Sequence, residues 1–273
     1  MKIRHAAKRA LMRWLKLETT LTRNAPTPQN MIDVFKGEWE CALPPPFDGL
    51  RAGKSSAFQD GKIEWAIKML GGMAGKRVLE LGPMEAGHTY MLERAGAARI
   101  TAIEANPSAF LKCLIAKELL KLQHADFLFG DFVQYLNSKP EPVDAVIASG
   151  VLYHMADPVG LIGKLSAIAP RLYLWTHYYE RSRVAALPAL AREFAPKQTV
   201  TDGFTYMLHR REYTPALRIG KFYGGTEAYS NWLELDGVLG ALKHAGFAHI
   251  DIQFDDPAHA HGPCVSLTAL KHR

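Results

Sequence analysis

Between residues 60 and 177 short apolar runs alternate with helical segments, and this alternation constrains the fold more than any other feature of the chain. Arg77 to Leu81 (RVLEL), Arg99 to Glu104 (RITAIE), Ala125 to Phe129, Val143 to Ser149 (VDAVIAS) and Arg171 to His177 (RLYLWTH) have the length and apolar content of buried strands. Between them, Asp60 to Gly71, a segment from His88, Asn106-Pro107 to about Lys121, and Pro158 to about Ile168 read as helices. Strand, helix, strand in repetition requires crossover connections, and crossovers build a parallel sheet covered by helices on both faces. Trp232 to Ala245 is predicted as one more helix. Two final runs flanking Asp255-Asp256-Pro257 are predicted as an antiparallel hairpin at one edge. The expected class is α/β, doubly wound and mostly parallel.

The flanking segments carry the charge. The formal net charge is +6, but residues 1 to 24 hold seven basic residues (Lys2, Arg4, Lys8, Arg9, Arg13, Lys16, Arg23) against Glu18 alone. The surplus therefore sits on one terminal segment, which weakens a nucleic-acid reading of the body. At helical spacing Ile3, Ala7, Ala10, Leu11, Trp14 and Leu17 share one face, so an amphipathic basic helix is expected, fit for a membrane surface or a partner. Arg9, Arg13 and Lys16 interrupt the apolar core a signal peptide needs, and the segment is expected to be retained. A linker with Pro44-Pro45-Pro46 follows. Cys41, Cys113 and Cys264 are far apart and odd in number, as in a reduced, cytoplasmic protein. The expected organisation is 1–54, basic helix and Pro-rich linker; 55–177, core; 178–225, an insertion; 226–273, completion of the core.

The insertion breaks the alternation. It is rich in aromatics (Tyr178, Tyr179, Phe194, Phe204, Tyr206, Tyr213, Phe222, Tyr223) and carries eight basic residues, Lys197, Arg218 and Lys221 among them, against four acidic ones. A segment of this size in a compact domain is expected to be a lid over a substrate. Its charge suggests an anionic, sugar-like or aromatic ligand, while packing of the aromatics on the core is the simpler reading.

Ligands of open parallel sheets bind at the carboxyl ends of the strands, so the loop after RVLEL should overlie a site. It reads Gly82-Pro-Met-Glu-Ala-Gly-His88 and lacks the second glycine of a dinucleotide fingerprint. Glu80 would also repel a pyrophosphate while attracting an amine or sulfonium. Glu104, ending the second strand, is placed to accept hydrogen bonds from ribose hydroxyls, and Asp131 closes the third strand near where an adenine would lie.

Taken together, VLELGPMEAGHT, the acid of TAIEAN, the Gly-Asp of FLFGDF and DAVIASGVLYHMADP resemble the class I S-adenosylmethionine (SAM)-dependent methyltransferases, over residues of about 60 to 177. The resemblance implies a Rossmann-like seven-stranded sheet with an antiparallel C-terminal strand, and SAM as cofactor. It places Glu80 and Gly82 at the methionine part, Glu104 at the ribose, Asp131 and Phe132 at the adenine, and Ser149, Gly150 and Val151 at the sulfonium end. Pro83, Gly87 and Ala105 complete the cofactor set. Met84 and Ala86 stand where members of the family usually carry glycine.

An alcohol acceptor must lose a proton, and His is the commonest side chain for that task. His154 is the first candidate base and His177 the second, with Tyr153 positioning the acceptor; the other reading of His154 is a hydrogen bond that orders its loop. The expected activity is methyl transfer to a small-molecule or glycan acceptor, at oxygen. Two alternatives stand beside it. GVLYH and the run from Phe110 to Lys117 resemble enzymes that carboxymethylate the wobble uridine of tRNA, and a SAM-binding module without catalysis is the other. His259, His261, Cys264, Asp255 and Asp256 come from one segment, and no metal is expected there.

Overall fold

The fold is described from a computed structural model, and the structure describes residues 21–195, 198–213 and 225–272. Most of the expected basic N-terminal helix, and Lys197, Arg218, Lys221, Phe222 and Tyr223 of the insertion, lie outside the described residues.

Seven strands form the main sheet: β1 (Arg77–Leu81), β2 (Arg99–Glu104), β3 (Ala125–Phe129), β4 (Ala145–Ser149), β5 (Arg171–His177), β9 (Phe247–Asp256) and β10 (Cys264–Lys271), numbered along the whole chain. Their order is β3-β2-β1-β4-β5-β10-β9, parallel except that β10 runs antiparallel to both neighbours. Sequential crossovers run outward to β3 and then restart beside β1 with β4. The order of strands thus reverses between β1 and β4, which opens a crevice above their carboxyl ends.

The helices cover both faces. Alongside the short α1 (Pro28–Ile32), the core helices are α2 (Gly61–Met69), α3 (Gly87–Arg94), α4 (Pro107–Leu120), α5 (Phe132–Asn137) and α6 (Pro158–Ile168). Local chemistry sets their starts: Asp60, Asn106, Asp131 and Asp157 each accept a backbone N–H of the first turn, and α4 and α6 begin with Pro. Two core clusters fill the two sides of the sheet, one around Leu79, Val146, Leu174 and Leu267, the other around Val78, Ile100, Ile147 and Tyr173. That alternation along each strand is the period of two expected of β structure.

The Pro-rich stretch before the core is packed rather than a free tether. Ile32, Trp39, Cys41, Leu43 and Phe58 are buried and join Ala86, Cys113 and Ala116 in a third cluster. Trp39 donates its indole N–H to the Ile32 carbonyl at 2.9 Å. Residues 38–59 therefore form a strap across the loop between β1 and α3.

The insertion builds structure of its own. After α7 (Arg181–Ala185) and α8 (Pro188–Ala191), the strands β6 (Gln198–Asp202) and β7 (Phe204–Glu212) pair antiparallel. β8 (Tyr229–Leu233) joins β7 to complete a three-stranded sheet. This corrects the helix expected from Trp232: the last helix, α9, spans Leu235–His244, and Trp232 is the fully buried residue of a strand. Its partner is the insertion itself, a long-range pairing that local periodicity does not report. The aromatics mostly pack: Tyr179 stacks on His209 with ring centroids 3.5 Å apart, and Phe194 meets Trp232 edge-on. No helix among the described residues is long and apolar enough to cross a membrane.

Candidate active site

A cavity of about 990 Å³ opens above the carboxyl ends of β1, β2, β4 and β5. Of the expected cofactor residues it is lined by Gly82, Pro83, Gly87, Glu104, Ala105, Phe132, Ser149, Gly150 and Val151, and all three expected catalytic residues, Tyr153, His154 and His177, line it too. The loop from Gly82 to Gly87 forms its floor. Gly82 has φ +64, and a Cβ there would come within 3.1 Å of Val151, so the close approach of β1 and β4 needs glycine.

Glu104 is buried, and both its oxygens are held: Asn106 N–H donates to Oε1 at 2.8 Å and Met84 N–H to Oε2 at 3.2 Å. Burial raises its pKa against these donors. Asn106, Met84 and the Ala105 amide occupy part of its roughly four lone-pair positions, which leaves the carboxylate able to accept from the cavity.

Glu80 and Asp131 do not line the cavity. The Glu80 carboxyl is buried beneath the loop and accepts from the Thr89 hydroxyl at 2.5 Å, so it braces α3 from below; burial raises its pKa. Asp131 caps α5 through Val133 N–H at 2.7 Å and receives the Thr226 hydroxyl at 3.2 Å. It stands behind Phe132 and ties the end of the insertion to the rim.

Three residues at the rim were not anticipated. Asp60 receives His88 at 3.1 Å and the Lys62 ammonium at 2.9 Å, and all three side the cavity. Burial alone would raise the Asp60 pKa, but these hydrogen bonds outweigh it and hold the carboxyl well below the usual range. The sequence marks Asp60 as the start of a helix, which it also is.

The other end of the cavity is aromatic. Tyr153 packs edge-on against Trp175 and His177, and His177 stacks on Trp232 at 5.3 Å and 5°. Leu187, Pro188, Ala189 and Leu190 of the insertion close the side, and His259 and His261 of the β9–β10 turn reach in. Three arginines of the expected cationic lid are paired: Arg183 with Glu180, Arg210 with Glu212, and Arg211, which lines the cavity, with Glu193 at 2.6 Å.

The two histidines differ. Nδ1 of His177 lies 2.9 Å from Gly262 O and 3.1 Å from Pro263 O; carbonyls only accept, so Nδ1 carries the proton and Nε2 the lone pair. Burial, followed by weaker effects of His259 and Arg211, pushes its pKa down to about 4. His154 Nδ1 instead meets the Tyr213 hydroxyl at 2.9 Å, and burial with the neighbouring Arg211 and His177 pushes its pKa down to about 3. A Cβ at Gly225 would lie 2.7 Å from His154 O. His154 thus meets Tyr213 through its ring and Gly225 through its backbone.

His177, His259 and Cys264 bring one ligand atom each within 4.8 Å of one another. His177 Nδ1 is engaged with carbonyls, His259 Nδ1 accepts from His261 N–H at 3.3 Å, and burial pushes the Cys264 thiol up to about 11. With His177 contributed by β5, the group draws on two segments rather than the one expected, and His177 keeps an Nε2 lone pair.

The sequence matches no family profile and no curated protein. The fold, however, is shared with solved structures. The N-terminal domain of EvdMO1, solved in the presence of S-adenosylhomocysteine (SAH) and D-fucose, superposes with a TM-score of 0.69 over 90% of this chain and 95% of that one, at 23% identity. Against the whole of EvdMO1 the chain spans 46% of the length. Magnesium protoporphyrin IX methyltransferase (ChlM) from Synechocystis PCC 6803, with bound SAH, gives 0.53 at 16% identity, covering 97% of this chain and 95% of that one. A SAM-dependent methyltransferase from Mesorhizobium loti gives 0.51 at 17% identity, over 78% and 99%. The chain has the fold of class I SAM-dependent methyltransferases.

Proposed function

We propose that this chain is a SAM-dependent O-methyltransferase whose acceptor is a hydroxyl of a neutral sugar or sugar-bearing small molecule. The observation that carries the reading is the continuity of one cavity from the Gly82–Gly87 loop and Glu104 to the aromatic wall around His177. The residues fit the cofactor. Glu104 retains lone pairs for ribose hydroxyls, Phe132 offers a face for a base, and the Lys62 ammonium supplies donors for a carboxylate. SAM, when bound, supplies an electrophilic methyl group on a sulfonium that leaves as neutral SAH.

The protein's part is position, dryness and a proton acceptor. Tyr153, Trp175 and His259 give aromatic surfaces for the apolar face of a sugar ring. Glu193 accepts and Arg211 donates, and as a pair they are neutral, so a polyol is served better than an anion. His177 receives the hydroxyl proton at Nε2 while the new O–C bond forms and the S–C bond breaks. As that bond forms the hydroxyl becomes strongly acidic, so a base with a pKa of about 4 is strong enough. Proximity and exclusion of water account for most of the acceleration. The domain of EvdMO1, crystallised with SAH and D-fucose, supports the same substrate class.

The test is incubation with SAM and a panel of neutral sugars that includes D-fucose, a sugar phosphate and a catechol. The expected result is SAH released in step with a mono-O-methylated neutral sugar. Methylation confined to the phosphate ester or the catechol would contradict the assignment.

A further inference from the structure

The loop that floors the cavity holds two non-glycine residues in the backbone region that favours glycine: Met84 at φ 56 and Ala86 at φ 66. Side chains are rarely stable there unless their surroundings impose the conformation. Between them, Glu85 also lines the cavity, but its carboxylate is engaged by the strap. Its carboxylate is almost fully buried, and it accepts from Glu40 N–H at 3.0 Å and from Cys41 N–H at 2.8 Å, both on the strap. The same carboxylate pairs with the Lys112 ammonium of α4 at 2.9 Å. Lys112, also buried, donates to the Glu38 carbonyl as well and lies over the rings of Phe35 and Trp39. One carboxylate and one ammonium thus join three separate elements: strap, loop and α4.

The strap is itself a wall of the cavity. Cys41, Ser55 and Ala57 line it, and Ala57 sits so close to α3 that a Cβ on Gly87 would come within 2.7 Å of its carbonyl carbon. On the loop's other side, Met84 donates its N–H to Glu104 and accepts the Cys113 thiol. The loop's shape, the strap's seat and the orientation of Glu104 are therefore set by one connected network.

Resting on the cofactor assignment above, we propose that Glu85 and Lys112 are positioning residues for the cofactor. The pair latches residues 38–59 onto the loop and imposes at Met84 and Ala86 the conformation that glycine would adopt freely. Cofactor affinity then depends on a pair whose charged groups are engaged by the strap and by each other. A glycine restored in the loop should remove part of that dependence.

The experiment measures SAH affinity by titration calorimetry, with unliganded melting temperature alongside, for wild type, Glu85→Gln/Lys112→Met and the same double variant with Ala86→Gly. Removing both charges together leaves no lone buried ion, so the fold is retained. The double variant should bind SAH at least about tenfold more weakly, and adding Ala86→Gly should recover most of that loss without raising the melting temperature. SAH affinity in the double variant within about twofold of wild type, or no recovery with Ala86→Gly, would overturn the latch. Wild type that fails to bind SAH would overturn the cofactor assignment itself, and the latch with it.

Discussion

At the scale of single residues, the division of labour between His177 and His154 is the point most open to measurement. Replacing His177 by Gln should lower kcat about a hundredfold or more while leaving SAH affinity unchanged. Because His177 is neutral above about pH 4, kcat should stay flat from neutral pH down to about 5 and fall below that. The same shifts act on stability with a fixed sign. In the unfolded chain both histidines bind a proton near the usual value of 6.5, but in the folded protein only near 4 and 3. Stability is therefore full above pH 6.5 and falls as pH drops toward 4 and below, by about 3 kcal/mol for His177 alone. Denaturant melts at pH 7 and pH 4.5 check this; equal midpoints would contradict it. Little of this was legible beforehand. Glu104, expected at the site, does line the cavity. Glu80 and Asp131 have the same residue type and similar places, yet each turns to its own helix. The His177 tautomer depends on carbonyls 85 and 86 positions away, which no local pattern encodes.

At the scale of elements, the strands of the main sheet were legible almost residue for residue, because a buried parallel strand is a short apolar run bounded by turn residues. Helix starts were equally clear where a capping side chain stands before Pro. Asp157 is such a cap, with its Oδ1 2.8 Å from Gly160 N–H. Asp157→Ala should cost about 1 kcal/mol and lower the melting temperature by a few degrees; an unchanged melt would show that the cap contributes nothing. What escaped was structure made by distant pairing. β8 is apolar enough to extend a helix, and only β7, from inside the insertion, makes it a strand. The strap was read as a linker from its prolines, but Trp39, Cys41 and Leu43 bury there against α4. Proline limits the backbone locally without deciding whether the segment packs.

At the scale of the molecule, a sheet order of β3-β2-β1-β4-β5-β10-β9 places the crevice between β1 and β4, and every line of the functional reading converges on it. The net charge of +6, which first invites a polyanionic partner, has little bearing on this cavity. Its surplus lies in the N-terminal segment, and among the described residues Arg211, the lid arginine lining the cavity, pairs with Glu193. A neutral acceptor and a sulfonium cofactor are what such a cavity accommodates. The most direct measurement is the ligand-induced change in melting temperature of wild type and Glu104→Ala with SAM, SAH, carboxylated SAM and NAD. The account predicts stabilisation of wild type by SAM and SAH, none by NAD, and loss of most of the SAH shift in Glu104→Ala. Stabilisation by NAD alone, or an SAH shift unchanged in Glu104→Ala, would contradict it.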